Sequence, residues 1–172
     1  HISNIGYHLY CKMFNEELNK SRGVVNNFRI PKIQYFGIAS FSDSYMPLSQ
    51  DRLFYYQRLS TAKDRQDMVA VQEEITDRFG KPGADTTNLY KITEIRIAYT
   101  NTLVKSIFIK KDRAVLTLTD ADAKTPNKLS IGGLMNALER TEIKYMFKQA
   151  NKDSFGLEFF CGASDEPLTM LI

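Results

Sequence analysis

The chain has 172 residues, and its 23 lysines and arginines against 20 aspartates and glutamates give a formal net charge of +3. This length suits one domain of ordinary size or a domain with an appendage, and 43% hydrophobic residues suffice for a packed core. No apolar run approaches the roughly 18 residues of a membrane span, and the small net charge does not by itself indicate a nucleic-acid-binding protein.

The chain begins with a helical pattern of apolar residues and no initiator methionine. We predict a helix over residues 6–20 that ends near Gly23, because glycine adopts the left-handed conformation that terminates helices. Such a beginning indicates a fragment of a longer protein. We therefore expect residues 1–22 to form a linker helix from a preceding module, partly exposed here, and residues 23–172 to form the domain itself.

The central part of the chain predicts one strand followed by three helices. Residues 33–41 are aromatic and β-branched, which is typical of a strand. Apolar residues at helical spacing then predict helices over 50–60, 63–79 and 85–101, with glycine and proline between the last two.

After residue 102 the pattern changes to the period of strands. Alternating apolar and polar residues predict two hairpins. Their strands span 103–110, 113–119, 143–149 and 155–161, the first pair joined by a tight turn at Lys111-Asp112. A short helix over 130–139 lies between the hairpins, and residues 164–172 predict a last helical turn. The fold class is therefore α+β, with a cluster of helices packed on an antiparallel sheet made mainly from C-terminal hairpins.

The ionisable side chains offer little for catalysis or for a metal. The two histidines, His1 and His8, cannot supply a histidine-based triad, and His8 with Cys11 is only half of a metal site. Gly80-Lys81 lacks the first glycine of a phosphate loop, since that position holds Ile75. Two cysteines in 172 residues favour a reducing cytoplasm. We predict that this chain is not an enzyme and holds no metal or cofactor.

One flank of the second predicted helix of the trio is acidic. At about 100° per residue, Asp67, Glu74 and Asp77 fall beside the apolar stripe, and the last two are surface neighbours. Carboxylates near a helix C-terminus oppose the helix dipole. This placement is consistent with an acidic docking patch for a basic partner. The alternative is a solvated acidic face in which Asp77 pairs with Arg78 or Lys81.

A second candidate lies in the basic C-terminal half. Residues 105–152 contain ten lysines and arginines against five acids, and Tyr145 and Phe147 interleave with Lys144 and Lys148. Strands that stack bases show this pattern, and so do half-buried strands whose lysines face water. The alternative function is therefore a nucleic-acid-binding module that uses the basic C-terminal sheet.

Several segments carry motifs of a known family: residues 51–59 (DRLFYYQRL), residues 74–80 (EITDRFG) and Asn88-Leu89. They resemble the C-terminal domain of bacterial transcription-repair coupling factors, and the likeness is specific over residues 33–100. The opening segment, residues 5–10 (IGYHLY), resembles the end of the translocation motif shared with RecG-type helicases.

The resemblance implies a regulatory domain without catalytic activity in a large ATP-driven DNA translocase. ATP and magnesium then belong to the parent protein, and residues 1–22 come from its translocase module. In that family the parent displaces stalled RNA polymerase and recruits nucleotide excision repair through the excinuclease A subunit. The C-terminal domain packs on an excinuclease-B-like N-terminal module as an autoinhibitory clamp and masks the surface that binds the A subunit.

The resemblance also implies the docking residues. The acidic residues of the family's E-x-x-D-R-F-G motif face basic residues of the excinuclease-B-like module, and here they are Glu74 and Asp77, followed by Arg78. The implied partner is intramolecular, with excinuclease A and RNA polymerase engaged indirectly and DNA contacted by the parent rather than by this domain. The implied state is a monomer in the bacterial cytoplasm without membrane contact.

Overall fold

The computed structural model describes residues 30–119, 144–151, 154–161 and 166–172. These residues belong to two compact units. The first unit is helical and comprises residues 38–98, and the second contains the sheet, formed by residues 30–37 and the described residues of 99–171. Helices and strands are thus segregated along the chain, which confirms the predicted α+β class.

Some predicted elements lie outside the described residues. They are the helices over 6–20 and 130–139 and the linker helix over 1–22. The proposed boundary at residue 22 stays a prediction.

Three helices make up most of the helical unit. Helix α1 spans Ser49–Thr61, α2 spans Arg65–Phe79 and α3 spans Ala84–Tyr99. All three confirm the predicted helices, with bounds that differ by one or two residues. Side chains that are at most 2% exposed come from every helix of this unit: Tyr55, Leu59, Met68, Ile75, Leu89, Ile92 and Ile95. Burial of these apolar stripes supplies the main stabilisation of the unit.

The ends of α2 are fixed by local hydrogen bonds. The Asp64 carboxylate caps the N-terminus by accepting from the Asp67 N–H at 2.9 Å. The Asp67 carboxylate in turn accepts from the Lys63 N–H at 3.2 Å. At the other end, Gly80 has a φ of +81°, a backbone conformation that favours glycine. Asp67, counted above on the acidic flank, therefore serves the start of its own helix.

The predicted strand over 33–41 is shorter in the structure. Strand β1 is Lys32–Tyr35, and the chain beyond Gly37 makes contacts with α3 instead of with a strand. The Ser40 N–H donates to the Asp85 carbonyl at 3.2 Å, and the Asn88 amide donates to the Ile38 carbonyl at 2.9 Å. Residues 38–41 were therefore wrongly predicted as strand; Ala39 and Phe41 are buried, but the hydrogen-bond partners of this segment lie on a helix.

A buried arginine satisfies the end of α1. Arg96 on α3 is 6% exposed, and its Nη2 donates to the carbonyls of Leu59 at 3.2 Å and Ala62 at 2.7 Å. Carbonyls in the last turn of a helix lack partners within the helix, and a cation there also complements the helix dipole. Arg96 therefore ties α3 to the C-terminal end of α1.

The sheet contains five strands in the order β1-β2-β3-β5-β4. The strands after β1 are β2 (Val104–Ile109), β3 (Arg113–Thr119), β4 (Lys144–Asn151) and β5 (Ser154–Phe160). Both predicted hairpins are confirmed, and the first closes through a hydrogen bond of 2.9 Å from the Lys110 N–H to the Arg113 carbonyl. The sheet is mixed, however, because β1 pairs with β2 in parallel.

The two faces of the sheet differ in burial. The register aligns Ile107, Leu116 and Leu157 across β2, β3 and β5, and all three are buried. The opposite face mixes charged and apolar side chains and is partly exposed. A short helix, α4 (Pro167–Met170), follows the sheet. None of the helices within the described ranges is long and apolar enough to cross a membrane.

The role of Arg96 can be tested by substitution. Arg96→Met leaves two helix-terminal carbonyls without their donor, so we expect the free energy of unfolding to fall by about 2–3 kcal/mol. Arg96→Lys should lie between this variant and the wild type, because an ammonium group lacks the planar fork of arginine. Urea denaturation of the 172-residue chain measures both.

The matched control is Arg65→Ala. Arg65 is 77% exposed and pairs with Glu94 at 3.1 Å, so its loss should change stability by about 0.5 kcal/mol or less. If Arg96→Met is no more destabilising than this control, Arg96 does not cap α1.

Candidate partner-binding site

A ladder of polar side chains connects α1 and α2. Asp51, Tyr55 and Arg58 lie one turn apart on α1, at positions i, i+4 and i+7, and therefore share one face of that helix. Glu74 and Arg78 are one turn apart on α2. The contacts run in opposite order along the two helices, as expected for neighbours joined by a short loop. We call these five residues the α1–α2 ladder.

The Tyr55 hydroxyl is the centre of the ladder. It donates to Glu74 Oε1 at 2.8 Å and accepts from Arg78 Nη1 at 2.7 Å. The Arg58 guanidinium donates to the other carboxylate oxygen of Glu74, and Arg78 Nη2 lies 3.5 Å from Asp51 Oδ1. Both oxygens of Glu74 thus have donors within the chain.

Aromatic rings surround this polar ladder. The Tyr55 ring packs edge-on against Phe79 at 5.9 Å and against Phe54 at 5.1 Å between centroids. The Arg78 guanidinium lies 5.0 Å from the Phe79 centroid, and that of Arg58 lies 5.6 Å from the Phe54 centroid. Each arginine therefore contacts a ring as well as an acceptor, which restricts its rotamers.

The ladder fixes the charge of its members. The hydrogen bond from Arg58 holds the pKa of Glu74 below its usual value, with a smaller contribution from Tyr55. Burial raises the pKa of the Tyr55 phenol. The bond to Tyr55 raises the pKa of Arg78. At neutral pH the ladder therefore holds an ionised carboxylate, a neutral phenol and a charged guanidinium.

The predicted docking residues have different environments. Glu74 faces α1, and its side chain is 39% exposed. Asp77 is exposed on α2 and makes no hydrogen bond or ion pair within the described residues. The alternative of a solvated acidic face supposed that Asp77 pairs with Arg78 or Lys81. Arg78 instead bonds to Tyr55 and Asp51. The structure therefore directs one carboxylate inward and leaves the other facing outward.

One exposed carboxylate was missed in the sequence. Glu73 lies four residues before Asp77, is exposed, and also lacks a partner among the residues described. The spacing i, i+4 puts the two on the same side of α2. A helical wheel centred on Asp77 instead of on the apolar stripe reveals this pair. The exposed acidic surface of α2 is therefore Glu73 with Asp77, and we call it the acidic pair.

The second candidate is divided between two faces of the sheet. Tyr145 and Phe147 on β4 lie opposite Phe159 and Leu157 and are half-buried, with their rings 5.7 Å apart. Lys144 and Lys148 lie on the other face and are exposed. Base stacking by β4 alone would require the aromatic rings and the lysines to lie on the same surface. They lie on opposite faces of the sheet.

Acid titration tests the ladder. The native pKa of Glu74 lies below its unfolded value, so its contribution to stability is present above about pH 5 and is lost as pH falls through the native pKa. Glu74→Gln should lower the free energy of unfolding by about 0.5–1 kcal/mol at neutral pH, since the ion pair is half exposed. It should also reduce the loss of stability on acidification. Urea denaturation at several pH values measures both.

Arg58→Gln provides the matched comparison, because it keeps the carboxylate and removes the positive charge opposite it. It should flatten the acid dependence in the same way, and the double variant should flatten it no further. Additive effects of the two substitutions would show that Arg58 and Glu74 do not act together.

Potential metal ligands do not cluster in the described part of the chain. No three histidine, cysteine, aspartate or glutamate side chains lie there in an arrangement that could hold a metal ion.

Comparison with known proteins identifies one family. A family model described as the TRCF domain matches residues 38–129. A solved structure, the crystal structure of the C-terminal domain of a transcription-repair coupling factor, has the same fold with a TM-score of 0.67 at 19% identity. The match covers 83% of this chain and 87% of that chain.

Curated relatives are transcription-repair-coupling factors from several bacteria. The one from Buchnera aphidicola subsp. Baizongia pistaciae is 24% identical over 168 residues, which is 92% of this chain and 23% of the relative. The one from Myxococcus xanthus is 25% identical over 123 residues, 71% of this chain and 10% of the relative. The one from Helicobacter pylori strain 26695 is 30% identical over 98 residues, 56% of this chain and 10% of the relative. The chain thus spans less than a quarter of the length of these relatives.

Proposed function

The chain belongs to the TRCF domain family, and on that basis we propose that it is the non-catalytic regulatory C-terminal domain of a transcription-repair coupling factor. The parent protein is then an ATP-driven DNA translocase of the bacterial cytoplasm that displaces stalled RNA polymerase and recruits nucleotide excision repair. ATP and magnesium act in the parent's motor. The domain acts as an autoinhibitory clamp that docks on the excinuclease-B-like module and masks its surface for the excinuclease A subunit.

The observation that carries the clamp proposal is the acidic pair. Glu73 and Asp77 expose two like charges one turn apart, and Asp77 lies in the last turn of α2. Like charges at this spacing, and a negative charge at a helix C-terminus, each destabilise a helix by a few tenths of a kcal/mol. A basic surface on a partner relieves both effects when it docks.

The ladder contributes to docking in a different way. Glu74 is neutralised by Arg58 and holds α2 against α1, so it acts as a positioning residue for the neighbouring Asp77. Arg78, with a side chain 47% exposed, is held by Tyr55 and Asp51 at the same edge. A surface whose side chains are already ordered loses less entropy when a partner binds.

Charge removal at the acidic pair tests the clamp. In the full-length parent, Asp77→Asn with Glu73→Gln should loosen the docked state and raise the affinity for the excinuclease A subunit. Each lost contact contributes about 2–5 kcal/mol if it is buried and far less at a wet rim. We therefore expect an increase of about fivefold or more, measured by titration of the labelled A subunit.

The matched control is Asp112→Asn in the sheet unit. Asp112 is exposed and pairs with the adjacent Arg113 at 2.9 Å, so its neutralisation removes one negative charge, half of that removed in the acidic-pair variant, at a distant position in the sequence. Affinity for the A subunit should stay at the wild-type value. Equal affinities for the acidic-pair variant and the control, with both proteins folded, would mean that the pair is only a solvated surface.

Glu74→Ala should behave differently from the acidic-pair variant. It removes the acceptor for both Arg58 and Tyr55, so it should lower the stability of the domain as well as loosen the clamp. Measuring the melting temperature beside the affinity for the A subunit separates the two effects. Release of the clamp by Asp77→Asn without a change in melting temperature assigns docking to the outward carboxylate.

A further inference from the structure

The exposed face of the sheet has an ordered arrangement of side chains. The strand register aligns them in three rows across the strands. The first row holds Lys110, Arg113, Phe160 and Lys144; the second holds Gln34, Phe108, Val115, Glu158 and Met146; the third holds Lys32, Ser106, Thr117, Gly156 and Lys148. We call this surface the outer face. Its middle row is mostly apolar, and both flanking rows contain cations.

Apolar groups are exposed at both ends of the outer face. Phe36 continues the line of β1, since its N–H donates to the Ile109 carbonyl at 3.0 Å, and its ring is 4.7 Å from that of Phe108. Phe36 is 63% exposed, and Met146 at the opposite end is 48% exposed. Neighbouring strands lie about 4.8 Å apart, so roughly 14 Å separate Phe108 from Met146.

Positive charge dominates the outer face. Its five cations are Lys32, Lys110, Arg113, Lys144 and Lys148, and Glu158 is the single carboxylate in the three rows. Glu158 is buried and is neutralised by Arg113 at 2.9 Å and by Lys148. Lys110 lies 5.5 Å from the Phe36 centroid and 5.4 Å from that of Phe108. Arg113 also pairs with the exposed Asp112, so the excess positive charge comes from Lys32, Lys110 and Lys144. The surface thus combines this charge with the exposed ring of Phe36 and the half-buried ring of Phe108.

We propose that the outer face binds a short segment of single-stranded nucleic acid. Proteins that bind single strands combine a positive surface along the phosphates with aromatic side chains on which bases stack. Phe36 and Phe108 supply the rings, and the two flanking rows supply the cations. In a duplex each base is stacked between its neighbours, so no base face is free to stack on Phe36. An acidic peptide would use the lysines and leave the exposed ring of Phe36 unused.

This inference does not depend on the clamp. The acidic pair lies on α2 of the helical unit, whereas the outer face belongs to the sheet unit. It also differs from the sequence-based nucleic-acid prediction, since the rings come from β2 and the end of β1 and not from Tyr145 and Phe147. The lysines of β4 are common to both.

The test uses the 172-residue chain and fluorescein-labelled oligonucleotides of about twelve nucleotides, poly(dT) or poly(U), with fluorescence anisotropy as the readout. We expect saturable binding to either single strand and at least tenfold weaker binding to a duplex of equal length. The slope of log affinity against log salt should be about −2 to −3 between roughly 50 and 200 mM, because three or four cations contact phosphates.

Two substitutions separate stacking from charge. Phe36→Ala should reduce affinity about fivefold or more with an unchanged salt slope. Lys144→Ala should reduce affinity at low salt and make the slope shallower by about 0.7. The matched controls in the helical unit are Phe54→Ala, an aromatic side chain that is 47% exposed, and Lys63→Ala, an exposed lysine. Both controls should bind as the wild type does.

Several outcomes would overturn the proposal. One is the absence of binding at the lowest salt concentration by a folded chain. Another is equal affinity for the duplex with no effect of Phe36→Ala, which would indicate unspecific attraction to phosphate. A third is tighter binding of a poly-glutamate peptide of the same length, with loss of that binding in Lys144→Ala, which would assign the outer face to an acidic protein segment.

Discussion

The Tyr55 hydroxyl is the contact on which the geometry of the α1–α2 ladder depends. It is fully buried, donates to Glu74 and accepts from Arg78, so it connects a carboxylate and a guanidinium that lie one turn apart on α2. A buried hydroxyl with both functions satisfied is stable in one arrangement and unfavourable in others. Together with burial of Met68, Val71 and Ile75, that arrangement orients α2 about its own axis. Glu74 consequently faces α1, whereas Asp77, roughly 60° away around α2, is exposed to solvent.

Two carboxylates three residues apart on α2 therefore have different tasks. Glu74 has two donors and contributes to the cohesion of the helical unit, whereas Asp77 is available to another molecule. In the motif that contains both acids, Glu74 thus serves the stability of the domain and Asp77 is free to serve recognition. An experiment that replaces both at once cannot distinguish these reasons. Glu158 resembles Glu74 in this respect: both of its carboxylate oxygens have donors within the described chain, Arg113 and Lys148, which lie on two other strands.

Periodicity was sufficient to locate the helices and hairpins, because local spacing determines which side of an element is apolar. It could not identify the partner of β1, since parallel pairing of Lys32–Tyr35 with β2 depends on residues far along the chain. It also could not distinguish Glu74 from Asp77, because a helical wheel represents one helix alone. The contacts that Arg58 and Tyr55 of α1 make with Glu74 are therefore invisible to it. The sequence predicts Phe36 within a strand over 33–41 but not its neighbours. Only the parallel pairing of β1 with β2 brings it beside Phe108 and Lys110.

The parallel pairing of β1 with β2 has a consequence for the order of folding. Residues 36–103, which include all three long helices, lie between these paired strands. Closing a loop of that length is entropically unfavourable, whereas the two hairpins close over a few residues. We expect the four antiparallel strands to form first and β1 to be the last strand added. By the same reasoning β1 is the first strand to detach, and Phe36 detaches with it. A pulling force applied at residue 30 would therefore act on β1 before it acts on the other strands of the sheet.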